Sequence, residues 1–218
     1  MAVIDYGVGN LFSLGAALDA VGARWRLVDV AGPGAPARLA EADGLLLPGV
    51  GAFGPAMERL RETGVAESLR RLAGEGMPLL GICLGFQLLF DGSEEGAPDP
   101  DRPLPGLGLL PGVVRRLPPG DPVPHVGWNP VLWEGEPPDP LLGAEPGEPF
   151  YFVHGYAVAV GGDGRRSDGL RWAWAEYNGL RLAAAASRGN LWGSQFHPEK
   201  SGTAGLALLA RFAGRCGC

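Results

Sequence analysis

The sequence holds a single lysine, three histidines and three cysteines among 218 residues, and no apolar run near the roughly 20 residues that cross a bilayer. Without such a run a membrane-spanning helix is excluded. Met1-Ala2-Val3-Ile4-Asp5 reads as an opening strand and lacks the basic flank of a signal peptide, so a soluble, cytoplasmic protein is expected. A formal net charge of -6, spread over short alternations of sign, leaves no basic stripe to follow a phosphate backbone, and nucleic acid is not expected as a partner. Cys83 and the tail pair Cys216 and Cys218 make neither a disulfide framework nor a four-ligand zinc pattern. No metal or cofactor is expected, and the tail is expected to fray.

What the chain does have is 46% hydrophobic residues, enough to bury a substantial core as one domain over 1–218. Over residues 1–90 short apolar runs alternate with helical patterns. Val3-Ile4, 26–30, 44–47 and 79–82 read as strands; 11–21, 55–72 and 84–90 read as helices, the second carrying an apolar stripe of Met57, Leu60, Val65, Leu69 and Leu72 broken by Gly64. That alternation predicts an α/β fold: an open, mostly parallel sheet with helices on both faces. Beyond residue 91 proline and glycine turns separate short candidate strands at 112–116, 126–128, 150–154, 171–176, 182–186 and 191–196, expected to extend the sheet as antiparallel strands. Residues 97–105, 117–124 and 134–148 read as surface loops. A closing helix over 202–213 should pack on the sheet through Leu206, Leu209, Ala210 and Phe212.

Gly81-Ile82-Cys83-Leu84-Gly85 directly follows the run Leu79-Leu80 and precedes a helical pattern, so Cys83 sits where a buried strand turns sharply into a helix. This is the arrangement of a nucleophile elbow built on sulfur. The helix start and an unengaged Leu84 amide would favour a thiolate and bind an oxyanion. Of the three histidines, His197 is the best general base, because Pro198 holds it extended and Glu199, two residues on, should share its face and orient the imidazole. The sole lysine, Lys200, follows directly. Pro48-Gly49-Val50-Gly51 leaves another apolar strand at the same sheet edge and can supply a second oxyanion donor. His125 and His154 read as structural or pocket histidines; Trp128, Asn129 and residues 150–152 read as core and rim packing. Gly7-Val8-Gly9 lacks the further glycine and acidic spacing of a dinucleotide loop.

Assembled, these motifs resemble the class I glutamine amidotransferases over nearly the full length. Gly81 to Gln87, with His197 and Glu199, carries the class. Asp5 to Asn10, Pro48 to Gly54, His125 to Asn129, Tyr151 to His154 and Gln195 to Ser201 resemble the glutaminase subunits of imidazole glycerol phosphate synthases. The sequence departs from sister glutaminases at Phe86, where many have histidine, and at Tyr156, where relatives often carry a hydroxyl residue. The resemblance implies a Cys83-His197-Glu199 triad that hydrolyses glutamine, oxyanion donors at Leu84, Val50 and Gly51, and glutamine contacts at Gly49, Gly51, Gln87 and Glu95. It also implies a (β/α)8 cyclase partner on the side of Asn10, Tyr151 and Lys200, and an oxyanion segment at Val50 that stays misplaced until the liganded partner binds. A glutaminase of another synthase, a cysteine peptidase or γ-glutamyl hydrolase on the same scaffold, and a non-catalytic module remain open alternatives.

Overall fold

The computed structural model describes residues 1–7, 9–139, 144–160 and 169–218. Val8 of the first loop and residues 140–143 of the acidic loop lie outside them. The first half alternates strand and helix, with α2 a helix that the pattern does not predict: β1 (Ala2–Asp5), α1 (Leu11–Ala20), β2 (Arg26–Asp29), α2 (Ala35–Ala40), β3 (Leu45–Leu47), α3 (Phe53–Glu62), α4 (Val65–Gly74), β4 (Leu79–Ile82) and α5 (Leu84–Leu88). The second half supplies β5 (Phe90–Ser93), β6 (Leu104–Pro105), β7 (Leu110–Arg116), β8 (His125–Pro130), β9 (Pro149–His154), β10 (Tyr156–Ala157), β11 (Arg171–Tyr177), β12 (Leu180–Arg188), β13 (Leu191–Ser194) and α6 (Gly202–Arg215). Seven strands form the central sheet in the order β11-β12-β13-β4-β3-β1-β2. The pairs from β13 to β2 are parallel, and β12 and β11 add the antiparallel extension.

The two-residue period of a strand sorts the core into two layers. Ala2, Ile4, Leu45, Leu47 and Leu79 pack with α2, α3 and α4 on one face. Met1, Val3, Leu46, Leu80 and Ile82 pack with Leu14 and Leu18 of α1 and Leu208, Leu209 and Phe212 of α6 on the other. Because both faces are covered, β3 and β4 are buried at every position, which is why they read as unbroken apolar runs.

Several boundaries differ from the sequence expectation. The helix expected over 55–72 is two helices, since Gly64 takes the left-handed conformation (φ 70°) and redirects the chain while the apolar stripe stays buried. The helix after Cys83 ends at Leu88, and Phe90 begins a strand. β7 joins a separate four-stranded sheet (β10-β7-β5-β6), and β8 with β9 forms its own antiparallel ribbon, so neither extends the central sheet. Leu104–Pro105 is an edge strand within an expected loop, a place where proline removes no needed donor. On α6 the buried face is Leu208, Leu209, Phe212 and Ala213, with Ala210 turned outward. The tail does not fray: Cys216 is buried, and the Met1 amine donates to Cys218 Sγ at 2.9 Å. Trp128 is not core but 57% exposed. Among the described residues, no helix is long and apolar enough to cross a membrane.

Candidate active site

Cys83 caps α5 with φ 54° and ψ -108°, a positive φ that a residue with a Cβ adopts only at a cost of order 1–3 kcal/mol. The surrounding structure fixes it there. The Cys83 amide donates to Ser194 O at 2.7 Å, tying the elbow to the end of β13, and its carbonyl accepts from the Gln87 amide at 3.1 Å. The flanking glycines are steric necessities. A Cβ on Gly85 would stand 1.8 Å from Leu47 O, and one on Gly81 would stand 2.7 Å from Gly85 O. Phe86 lies buried against Gly193 and edge-on to Phe90.

His197 and Glu199 meet as expected but for a different reason. His197 is extended, whereas Pro198–Lys200 is a single 3-10 turn, so the carboxylate reaches the ring through that turn and not through strand alternation. His197 Nδ1 stands 2.8 Å from Glu199 Oε1, with both side chains almost fully buried. Glu199 accepts from Nδ1, which leaves Nε2 for the sulfur. Nε2 has no conventional hydrogen-bond partner, yet the ring is electrostatically coupled to Cys83. Burial alone would lower the imidazole's proton affinity, but the Cys83 sulfur and the Glu199 carboxylate outweigh it and push the pKa up to about 9.

That shift fixes a sign. The charged ring contributes its stabilisation fully below its ordinary value of 6.5 and loses it as pH rises through about 9. Any step in which His197 donates a proton should therefore fade on the alkaline side with a midpoint near 9, read from the kcat/KM–pH profile of the reaction that Cys83 serves. A midpoint near 6.5 would show that the ring is not paired as described.

The thiol opens into a cavity of about 240 Å³ lined by Val50, Gly51, Cys83, Leu84, Gln87, Glu95, Val153, His154, Gly155 and Tyr156. Five of the residues singled out in the sequence as oxyanion or substrate groups are thus brought together. Gly49 is not among the lining residues, and its carbonyl accepts from the Leu84 amide at 3.3 Å. The Leu84 N–H, expected to be available for an oxyanion, is therefore occupied. α5 spans only five residues, so its dipole is also smaller than a full helix would give. Glu95 Oε2 accepts from the Phe53 amide at 3.0 Å, which holds the carboxylate at the cavity wall.

His154 donates from Nδ1 to Tyr156 O (2.9 Å), because a carbonyl can only accept. Its Nε2 must then accept from His125 Nδ1 at 3.2 Å. Burial, together with the nearby His125 and His197 rings and against the Tyr156 bond, lowers His154 to about 3, so it stays neutral. The pair is a satisfied scaffold, with His154 in the pocket wall. Sequence reasoning missed two buried groups around the thiol: Tyr6, whose hydroxyl donates to Pro48 O at 2.6 Å, and Gln195, whose amide lies 3.7 Å from the sulfur. Period two from His197 could have found the latter.

Asn10 caps α1, its Oδ1 accepting from the Ser13 amide at 3.3 Å, and is exposed. Tyr151 is half-buried, with Lys200 Nζ 5.7 Å above its ring and Trp128 edge-on at 6.0 Å. The Tyr151 carbonyl accepts from the His197 amide at 2.9 Å, which ties β9 to the backbone of the histidine. Phe12 (87% exposed) and Val126 (56%) add further apolar area. Among the described residues, no group of three or more His, Cys, Asp or Glu side chains is arranged to hold a metal ion.

A strained cysteine on a strand-helix elbow, backed by an imidazole and its carboxylate on a doubly covered parallel sheet, is the equipment of a cysteine-dependent amide hydrolase. Residues 2–215 match the family Glutamine amidotransferase class-I, and the chain belongs to it. It is 45% identical to the imidazole glycerol phosphate synthase subunit HisH of Moorella thermoacetica, an alignment covering 97% of this chain and 93% of that one. The HisH subunits of Synechococcus elongatus (46%; 97% and 91% covered) and Geobacillus thermodenitrificans (45%; 98% and 95% covered) are similar to the same degree. A crystal structure of a glutamine amidotransferase superimposes with a TM-score of 0.71 at 22% identity, covering 100% of this chain and 99% of that one. As a class I amidotransferase the chain is a glutamine-hydrolysing enzyme.

Proposed function

We propose that this chain is the glutaminase subunit of an imidazole glycerol phosphate synthase in the cytoplasm, splitting glutamine and passing ammonia to a (β/α)8 cyclase subunit for histidine biosynthesis. The observation that carries this reading is the Cys83 thiol on the wall of a cavity of about 240 Å³, with the His197-Glu199 pair behind it, in a chain so similar over its length to HisH subunits. The Cys83 thiolate attacks the side-chain amide carbon, and the oxyanion forms against the Leu84 and Val50-Gly51 amides. Protonated His197 gives its proton to the leaving nitrogen and ammonia departs. The now neutral imidazole takes a proton from water, whose oxygen attacks the thioester, and glutamate leaves as the thiolate is restored. Glu199 orients the ring throughout. Gln87 and Glu95 face the substrate's polar end.

Ammonia released to bulk water would be protonated and lost as a nucleophile, so its exit should be covered by a docked partner. The surface beside His197 suits that role: Tyr151 lies between Lys200 and the exposed Trp128, and Val126 and Phe12 are exposed as well. The Leu84 to Gly49 bond supports partner-dependent activity, since that carbonyl must leave before Leu84 can serve an oxyanion. One such donor is worth about 100- to 1,000-fold in rate. The isolated chain should therefore hydrolyse glutamine slower by roughly that factor than the chain mixed with the ligand-bound cyclase, measured as glutamate release. Equal rates would refute the proposal.

A further inference from the structure

The sequence carries Gln195 between a strand end and the catalytic histidine, an uncharged residue with no evident task. Phe196 points into the core, stacked on Phe150 at 4.2 Å. Gln195, just beyond the end of β13 at Ser194, turns its side chain toward Cys83 instead. Gln195 is 1% exposed, and a buried carboxamide needs its hydrogen bonds satisfied.

The direction of each bond follows from one backbone atom. Tyr156 O accepts only, so the Gln87 atom 2.9 Å from it is the amide nitrogen Nε2. The second hydrogen of that nitrogen goes to Gln195 at 3.0 Å, which makes the receiving atom Oε1. The Gln195 nitrogen is thereby turned to Cys83 Sγ, 3.7 Å away, with a hydrogen to give. A flip of either amide would set two nitrogens or two oxygens against each other along this chain. Gln87, with both hydrogens spent internally, presents only its oxygen to the cavity.

Around the sulfur, other elements contribute the His197 ring, the Val153 carbonyl at 3.8 Å and Tyr6, whose hydroxyl is committed to Pro48 O. The Val153 carbonyl can accept from a neutral thiol and disfavours the anion. Glu199 and the neutral His154 act on the site through His197. Within this ring of contacts, Gln195 is the only uncharged side-chain donor among the described residues that reaches the sulfur.

We propose that Gln195 is a further catalytic residue of the glutaminase: its oriented carboxamide N–H holds the Cys83 sulfur as an attacking thiolate, offsetting the Val153 carbonyl on the other side. The proposal rests on the glutaminase reading for its turnover, and on geometry alone for its effect on the thiol. A hydrogen bond to a charged acceptor is typically worth a factor of about 10 to 100.

The test uses Gln195→Met, which keeps the volume but has no donor, and Gln195→Glu, which sets an acceptor against the sulfur, each in complex with the cyclase. Both should lower kcat for glutamine about 10- to 100-fold with little change in KM. Without glutamine, iodoacetamide alkylation of Cys83, followed by mass spectrometry of its peptide, should slow about 10-fold at neutral pH and recover at alkaline pH. Ammonia-dependent ring closure checks that the complex is intact. A lower kcat with an unmoved alkylation–pH curve, or a rise in KM alone, would overturn the proposal and leave Gln195 as a support for Gln87. If the wild-type complex released no glutamate while the alkylation shift persisted, the glutaminase reading would fail and the role at the sulfur would stand.

Discussion

Replacing Cys83 with alanine should abolish glutamine-dependent product formation by the complex while ammonia-dependent formation continues at the wild-type rate. The size follows from how the triad shares its work. His197 and Glu199 serve proton transfers that follow from the attack of the sulfur, so removing the nucleophile leaves no covalent intermediate for them to act on. Losses on the order of 10⁴- to 10⁶-fold are typical when such a nucleophile is deleted. Stability should hardly change, or should rise slightly. Alanine has nearly the same backbone demands at φ 54°, and the variant removes a buried sulfur coupled to a buried imidazole without opening a large void. With the sulfur gone, His197 loses one of the two partners that raise its proton affinity and should titrate lower. The decisive measurement is ring formation from glutamine and from ammonium salt side by side. Loss of both would mean that the chain does more for its partner than deliver nitrogen, and retention of both would remove Cys83 from the chemistry.

The layout of the sheet could be read from β3 and β4 because a strand buried on both faces leaves an unmistakable record, a run of apolar residues with no polar interruption. Cys83 was equally legible, since the two glycines that crowd around it are demanded by local sterics. What failed was of two kinds. Boundaries went wrong where a single backbone angle decides them, as at Gly64, or where a short strand follows a short helix without a turn residue, as at Phe90. Pairing went wrong where it depends on contacts distant in sequence: nothing near β7 or β8 says that they leave the central sheet. The same holds for the Gly49 carbonyl on the Leu84 amide, which joins two loops from different strands. Glu199 was found by an argument from strand alternation, but β13 ends at Ser194 and Pro198 opens a 3-10 turn, and it is this turn that brings the carboxylate to the ring.

Replacing Gly85 with alanine should be among the most damaging single-methyl additions at the described glycines. Its Cβ would come within 1.8 Å of Leu47 O and 3.2 Å of Leu47 Cγ. Neither neighbour can yield cheaply. Leu47 is fully buried and paired with Gly81 of β4, so moving its carbonyl means prising apart two central strands. Overpacking of this kind costs about 3 kcal/mol or more. In a chain of this length that is a fall in Tm of roughly 6–12 °C. The variant separates stability from chemistry. A shift of the elbow by even a fraction of the clash displaces Cys83 from His197, and misplacement of about 1 Å can cost about 100-fold in rate. Folded Gly85→Ala protein, assayed well below its Tm, should therefore be nearly inactive toward glutamine yet still support ammonia-dependent ring closure when bound to its partner. Gly74, which also lies in a helix but has open space where a Cβ would go, is the matched control: Gly74→Ala should leave activity intact and should not lower Tm. Equal effects of the two substitutions would mean that the tight contact between the elbow and β3 does not control the placement of the sulfur.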